Sequence, residues 1–404
     1  MLCQKPFHAE SQRDYNREWG VVYNNLWGYK ANEYKIKVKS IDRYIEKLWE
    51  EHRMTPEGEA LRNKVLEHLR KLLKPVYPTG VLMCGGSTTS RCGVVDSDMD
   101  LCYVVQTQDV YERSQELPIV MYQESEVNKF MVDRIHMALR KHKEIVDIST
   151  TNARVPIVTF KMSSKAVDKH ADEVIFDFDV NCNCVAGIYN RQVPKLLARC
   201  DERLPKLCIA LKKWAKNVKV VGINRFNSYT VTCLIVHFLQ CGVQPPILPN
   251  LIKLDPRRYD GDCTPWELTT DIDAHLLPKT ENTMTVGELF CAFFYYYNDF
   301  DFVNYGILIR DASIIKMNAY GRFEGAMGSR VFLEEPYDGL TVPKNVKEQS
   351  TFDHIKYEFK YVCNLLGAKG IKNKFSLLMN RVHEPEHLTQ HNDPGVAKAE
   401  EPQC

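Results

Sequence analysis

The chain of 404 residues lacks any apolar run long enough to span a bilayer, and its first residues are polar and charged, unlike a secretory leader. An embedded role is therefore not expected, and the expected compartment is the cytoplasm. The chain also lacks an excess of charge: 53 Lys and Arg face 52 Asp and Glu, a formal net charge of +1. So balanced a surface does not attract nucleic acid as a whole, which leaves such contact to a local patch or to a partner. None of the fourteen cysteines forms a Cys-x-x-Cys pair, the closest spacing being Cys182-Asn183-Cys184. That spacing excludes the usual structural zinc sites. Cys102, Cys208, Cys233 and Cys291 lie in apolar runs, where a reduced thiol behaves as a small hydrophobe. No aromatic RNP pattern, zinc-knuckle spacing or basic tract is present, so no separate RNA-binding module is legible. What the chain does have is apolar content: 44% over this length can bury two domains.

One stretch, Gly85 to Val105, organises the rest. Val81-Leu82-Met83-Cys84 is a short apolar run before it, and Leu101 to Val105 is a β-branched-rich run that reads as a strand. Between them lie a Gly-Ser turn, Gly86-Ser87, and the pair Asp98 and Asp100. Residues two apart on a strand project to one face, so both carboxylates point one way. Two carboxylates so close repel unless a cation sits between them. Mg²⁺ is held by one or two carboxylates plus substrate phosphates, so the pair suits a metal–nucleotide site, and the turn offers N–H groups and a hydroxyl to a phosphate. A lone Asp-x-Asp is usually a solvated surface turn, so the remaining chain must supply the context.

Taken in order, residues 1–38 are aromatic and polar without a period. Residues 39–73 read as two helices of a central domain, the first capped by Ser40 with Ile41, Ile45 and Leu48 inward, the second opened by Thr55-Pro56. A helix is expected over 124–142, then strands over 154–160 and 174–180. The second strand alternates Asp177 and Asp179 with apolar residues, and acids inside an apolar strand invite a functional explanation. Lys212 and Lys216 stand four apart, on one face of a helix. The segment after about 381 is polar and expected to be disordered.

The Gly-Ser, Asp-x-Asp pattern resembles the active site of the polymerase-β-like nucleotidyltransferases. Phe178-Asp179-Val180-Asn181 with Gly187-Ile188-Tyr189-Asn190 resembles the third-aspartate segment of the cytoplasmic poly(A) and poly(U) polymerases, and its spacing favours Asp179 over Asp177. Lys206 to Lys216 resembles that family's phosphate-contacting helix. Ser228-Tyr229, an apolar helix and Pro245-Pro246-Ile247-Leu248-Pro249 resemble a further signature, and 285–302 resembles the poly(A)-polymerase-associated domain. Glu334-Glu335-Pro336-Tyr337-Asp338 resembles the base-recognition loop, where uridylyl-transferring members carry a histidine three residues after the second acid; here that position is Thr341. The likeness runs from about 72 to 359 and is nearest to the regulatory poly(A) polymerases of germ cells and early embryos. Departures are Ser90-Arg91-Cys92 in place of Asn-Gly-Phe, and Cys184 where Asn is frequent.

The resemblance implies an α+β fold: a nucleotidyltransferase domain of mixed sheet and helices over 74–190, and a mostly helical poly(A)-polymerase-associated central domain over 191–380, completed by 39–73. It implies an RNA 3′-end adenylyltransferase with ATP as substrate and Mg²⁺ (or Mn²⁺) held by Asp98, Asp100 and Asp179. Gly86, Ser87, Lys212, Lys216 and Ser228 would hold phosphates, Tyr229 would stack the base, Asn190 would read the ribose, and Glu335 and Asp338 would lie near the base edge. The implied partners are an RNA 3′ end and an RNA-binding adaptor protein that supplies specificity. Two alternatives stay open: a terminal uridylyltransferase, and a catalytically weak scaffold.

Overall fold

A computed structural model describes residues 38–85, 92–95, 97–105, 124–151, 155–259, 277–317, 328–336, 339–368 and 374–381. The aromatic N-terminal segment, the Gly86-Ser87 turn, Tyr337-Asp338 and the segment after 381 lie outside the described residues.

Helix α1 (Val38–His52) buries Ile41, Ile45 and Leu48, as the stripe requires. It begins before Ser40, so Ser40 lies in its first turn rather than at its cap. Helix α2 (Pro56–Leu73) is capped as expected: the Thr55 hydroxyl accepts from Gly58 N, and Pro56 occupies a position that needs no donor. The two helices part company. The expectation that 39–73 pack together with the helical domain differs from the structure. Val65, Leu66, Leu69 and Leu73 of α2 join the core beneath the sheet, whereas α1 joins the helical core.

The sheet holds β1 (Val81–Cys84), β2 (Met99–Val104), β3 (Ile145–Thr151), β4 (Ile157–Ser163) and β5 (Ile175–Cys182) in the order β1-β2-β5-β4-β3. Only the β2–β5 pair is parallel. Val158, Phe160 and Met162 of β4 and Phe176, Phe178 and Val180 of β5 are buried on one face. There α2 and α3 (Glu124–Leu139) cover them, and Phe160 stacks on Phe178 at 4.7 Å. The helix expected over 124–142 ends three residues sooner, and β4 starts three residues later than expected, after Pro156. The opposite face carries Asp100, Asp177, Asp179, Thr159 and Lys161 and is left for function.

The second core is helical: α4 (Ala186–Cys200), α5 (Arg203–Asn217), α6 (Ser228–Cys241), α7 (Val286–Asp299), α8 (Gln349–Gly367) and α9 (Lys374–Asn380). The aromatics of 290–302 are core residues here, packed edge-on around Phe293, Phe294 and Trp214, and α7 opens with a capping box between Thr285 and Glu288. A small sheet, β6 (Tyr305–Leu308), β7 (Ser313–Lys316) and β8 (Leu333–Glu334), leads into the segment that carries Glu335.

Candidate active site

The register of β2 against β5 decides where the acids sit. Asp100 is the direct partner of Asp179 in the parallel ladder, and Asp98 lies two residues before it, just outside the strand. Asp177, one position further out on the same face, is exposed and lies near Lys161 at 3.9 Å. Asp100 is open to solvent on one side and walled by protein elsewhere. Lost hydration first, then the charges of Asp179 and Asp98, raise its carboxyl to about 6. Asp179 is raised by burial first, then by Asp98 and Asp177. Among the described residues no three His, Cys, Asp or Glu side chains form a ready-made metal cage. The donor set still fits a hard cation: Asp100 and Asp179 are register partners, both feel the charge of Asp98, and such a cation takes its remaining ligands from water and substrate oxygens.

The turn that carries Asp98 is fastened on several sides. Gly85 N donates to Asp100 O at 2.7 Å, and a Cβ on Gly85 would meet the Gly187 backbone at 3.2 Å, so a side chain there would push the turn a few tenths of an ångström off α4. Arg191 Nη1 of α4 donates to Cys84 O at 2.7 Å. Arg62 Nη2 of α2, a guanidinium only 4% exposed, donates to Val95 O at 2.6 Å and Ser97 O at 2.7 Å. Val95 N donates to His52 O at the end of α1. Reading the sequence missed these arginines. Arg62 was nonetheless signalled, because it falls on the apolar stripe of α2 with Val65, Leu66 and Leu69, where a charge needs a buried partner.

The helical wall approaches through α5 and α6. Lys212 Nζ donates to Cys92 O at 2.9 Å, so this lysine holds the far end of the turn, while Lys216, one helical turn on, is exposed. Burial opposes ionisation of the Cys208 thiol, but its hydrogen bond with Cys92 and the Lys212 charge outweigh burial and lower it. Asn227 caps α6 by accepting from Thr230 N at 2.7 Å, which leaves Ser228 exposed and Tyr229 half-buried in the first turn. Tyr229 OH donates to Glu335 Oε1 at 3.4 Å. Glu335 is buried in a turn closed by Gly339, whose φ of 69° suits glycine. Asn190 is half-buried on α4 beside Arg191. Thr341 is fully buried, and its hydroxyl donates to Val331 O at 2.8 Å and accepts from Leu333 N at 3.2 Å. It is thus spent on the backbone of β8 rather than offered to a ligand. Gly86, Ser87 and Asp338 lie outside the described residues.

Residues 41–197 match the family described as poly(A) RNA polymerase, mitochondrial-like, central palm domain, and residues 285–339 match the Cid1 family poly A polymerase. The chain is 26% identical over 333 residues to poly(A) RNA polymerase gld-2 homolog B of Drosophila melanogaster, covering 78% of this chain and 23% of that protein. It is 27% identical over 315 residues to poly(A) RNA polymerase GLD2 of Homo sapiens, covering 76% of this chain and 60% of the relative. The chain therefore matches about a quarter of the fly relative's length and three fifths of the human one's. A solved structure of the GLD-2/RNP-8 complex shares the fold, with a TM-score of 0.67 at 22% identity over 85% of this chain and 98% of that one. No helix among the described residues is long and apolar enough to cross a membrane.

Proposed function

Because the chain belongs to the poly(A) RNA polymerase family of polymerase-β-like nucleotidyltransferases, we propose that it is a template-independent RNA 3′-end adenylyltransferase of the cytoplasm that transfers AMP from ATP. The observation that carries this reading is the parallel register that sets Asp179 against Asp100, with Asp98 two residues before Asp100 on the turn that enters β2. Asp98, Asp100 and Asp179 would hold the divalent cation, Mg²⁺ or Mn²⁺. When bound, a pair of such ions lowers the pKa of an attacking hydroxyl and neutralises phosphate oxygens.

The chain's own residues do the rest. Tyr229, half-buried at the start of α6, offers a face on which a base stacks, as any base can. Its hydroxyl is directed to Glu335, which orients both groups at the base edge. Lys212 and Lys216 bring positive charge to the triphosphate, where charge grows on the leaving pyrophosphate. Lys212 exchanges the Cys92 carbonyl for a phosphate oxygen in doing so. Asn190 serves the ribose. The roles of Gly86, Ser87 and Asp338 rest on the family resemblance alone. ATP is favoured over UTP because no histidine stands at position 341, and the threonine there is closed off by its own backbone bonds. Recruitment to RNA falls to an adaptor protein, since the chain is nearly neutral.

The test is extension of a labelled RNA primer with each of the four nucleoside triphosphates separately, with divalent metal. A ladder with ATP alone is expected. A ladder with UTP alone refutes the nucleotide assignment. No ladder with or without a co-purified partner refutes the enzyme and leaves the scaffold.

A further inference from the structure

Two arginines, Arg62 buried and Arg191 half-buried, meet the catalytic turn, one at each end. Arg191 takes the carbonyl of Cys84 where the turn begins, and the same peptide's N–H, on Gly85, is taken by Asp100 O. That peptide plane is held at both its polar atoms. Arg62 takes the carbonyls of Val95 and Ser97 through one nitrogen, Nη2. A peptide is planar, so anchoring Ser97 O fixes the plane from which Asp98 departs. Arg62 is 4% exposed, and its guanidinium carbon lies 5.3 Å from the Phe176 ring centroid. Phe176 belongs to β5, the strand of Asp179, so one guanidinium touches both elements that supply the acids.

We infer that Arg62 is a positioning residue that sets Asp98 for the cation, whereas Arg191 holds the Cys84 peptide at the other end of the turn and leaves the cation untouched. The inference rests on the three-carboxylate reading of the site. The physical case is one of direction. Asp98 is on a loop outside β2, and like-charge repulsion from Asp100 and Asp179 pushes it outward. Two charge-assisted bonds to the main chain on the loop's inner side resist that push before a cation arrives. Groups that orient a metal ligand in this way typically matter tenfold or more to metal affinity.

The experiment uses the full chain with Arg62→Met, Arg62→Gln, Arg62→Lys and Arg191→Met. Mn²⁺ affinity is measured by water-proton relaxation without nucleotide, the ATP KM by primer extension, and folding by melting temperature. Arg62→Met is expected to weaken Mn²⁺ binding about tenfold with the ATP KM nearly unchanged. Arg62→Lys should recover most of the loss, because one ammonium can serve both carbonyls as Nη2 does. Arg191→Met, which removes the anchor at the other end of the turn, is expected to leave Mn²⁺ affinity unchanged, and an equal loss in Arg191→Met and Arg62→Met overturns the specific placing of Asp98 by Arg62. Should Arg62→Met not fold, Arg62→Gln, which can donate to the two carbonyls without the charge, is read for an intermediate loss. Folded Arg62 variants that bind Mn²⁺ like the parent, or a fall in melting temperature alone, overturn the assignment. Absence of primer extension from every protein, the parent included, refutes the enzymatic reading, while the Mn²⁺ titration still decides Arg62.

Discussion

Replacing Asp100 with Asn should make the metal-free protein more stable while removing its activity. The carboxyl of Asp100 is raised from 3.8 to about 6, by burial first and then by Asp179 and Asp98. An acid whose folded pKa exceeds its unfolded value binds the proton more tightly when folded. Its ionisation therefore costs stability as pH rises from 3.8 toward 6, and the cost is complete above that window. A rise of roughly two units corresponds to about 3 kcal/mol, but Asp100 opens onto solvent, and screening reduces this to about 1 kcal/mol. Asn keeps the shape without the charge, so Asp100→Asn should raise the melting temperature at pH about 7.5 in EDTA by about 2 °C. The gain should shrink toward pH about 4, where the parent carboxyl is protonated too. Added Mn²⁺ should stabilise the parent more than the variant, and the variant should not extend a primer. The assay is thermal unfolding across pH with and without Mn²⁺. A variant no more stable than the parent at neutral pH, or equally more stable at every pH, refutes the argument that burial and the neighbouring acids oppose the Asp100 charge.

Two other outcomes follow from the same geometry. Tyr229→Ala should raise the ATP KM by about tenfold, the worth of a lost base stack, whereas Tyr229→Phe should stay near the parent because its hydroxyl contact with Glu335 is long at 3.4 Å; equal losses in both variants, read from primer-extension kinetics, contradict stacking. His237 is fully buried against Tyr296 OH at 2.9 Å, and burial lowers its pKa from 6.5 to about 3. The unfolded chain takes up that proton first, so its contribution is whole above 6.5 and is lost as pH falls toward 3. Urea unfolding between pH about 6.5 and about 4.5 should show the parent losing about 1.4 kcal/mol per pH unit more than His237→Gln, and parallel slopes in the two proteins contradict the assignment.

Much of the architecture was legible because its causes are local. Thr55-Pro56 announces a helix start by its missing donor and its cap, and Ile41, Ile45 and Leu48 announce a buried face by their spacing. β3 was not legible: Asp147 has a φ of 52° and the register shifts between Val146 and Ser149, so alternation is broken where period-two reading needs it. The short strands β6 to β8 escaped for a different reason. Runs of two to four residues carry too little pattern to separate from loop. The parting of α1 from α2 was also hidden, because an apolar stripe shows that a helix is buried but not against which core.

For the site, the sequence alone determined that Asp177 and Asp179 share a face, since that follows from a two-residue period within β5, whereas Asp98 precedes β2 and its place beside Asp100 is set by the turn. Tyr229 and position 341 were singled out by the family resemblance of their neighbours. Only the tertiary structure decided that Asp100 lies opposite Asp179, because strand register is a long-range choice between segments 79 positions apart. Only the fold showed Lys212 bonded to the Cys92 carbonyl and the Thr341 hydroxyl consumed by β8. The two arginines at the turn belong to the same class. A side chain's charge is written in the chain, but the carbonyl it meets depends on which main-chain oxygens folding leaves buried without another donor.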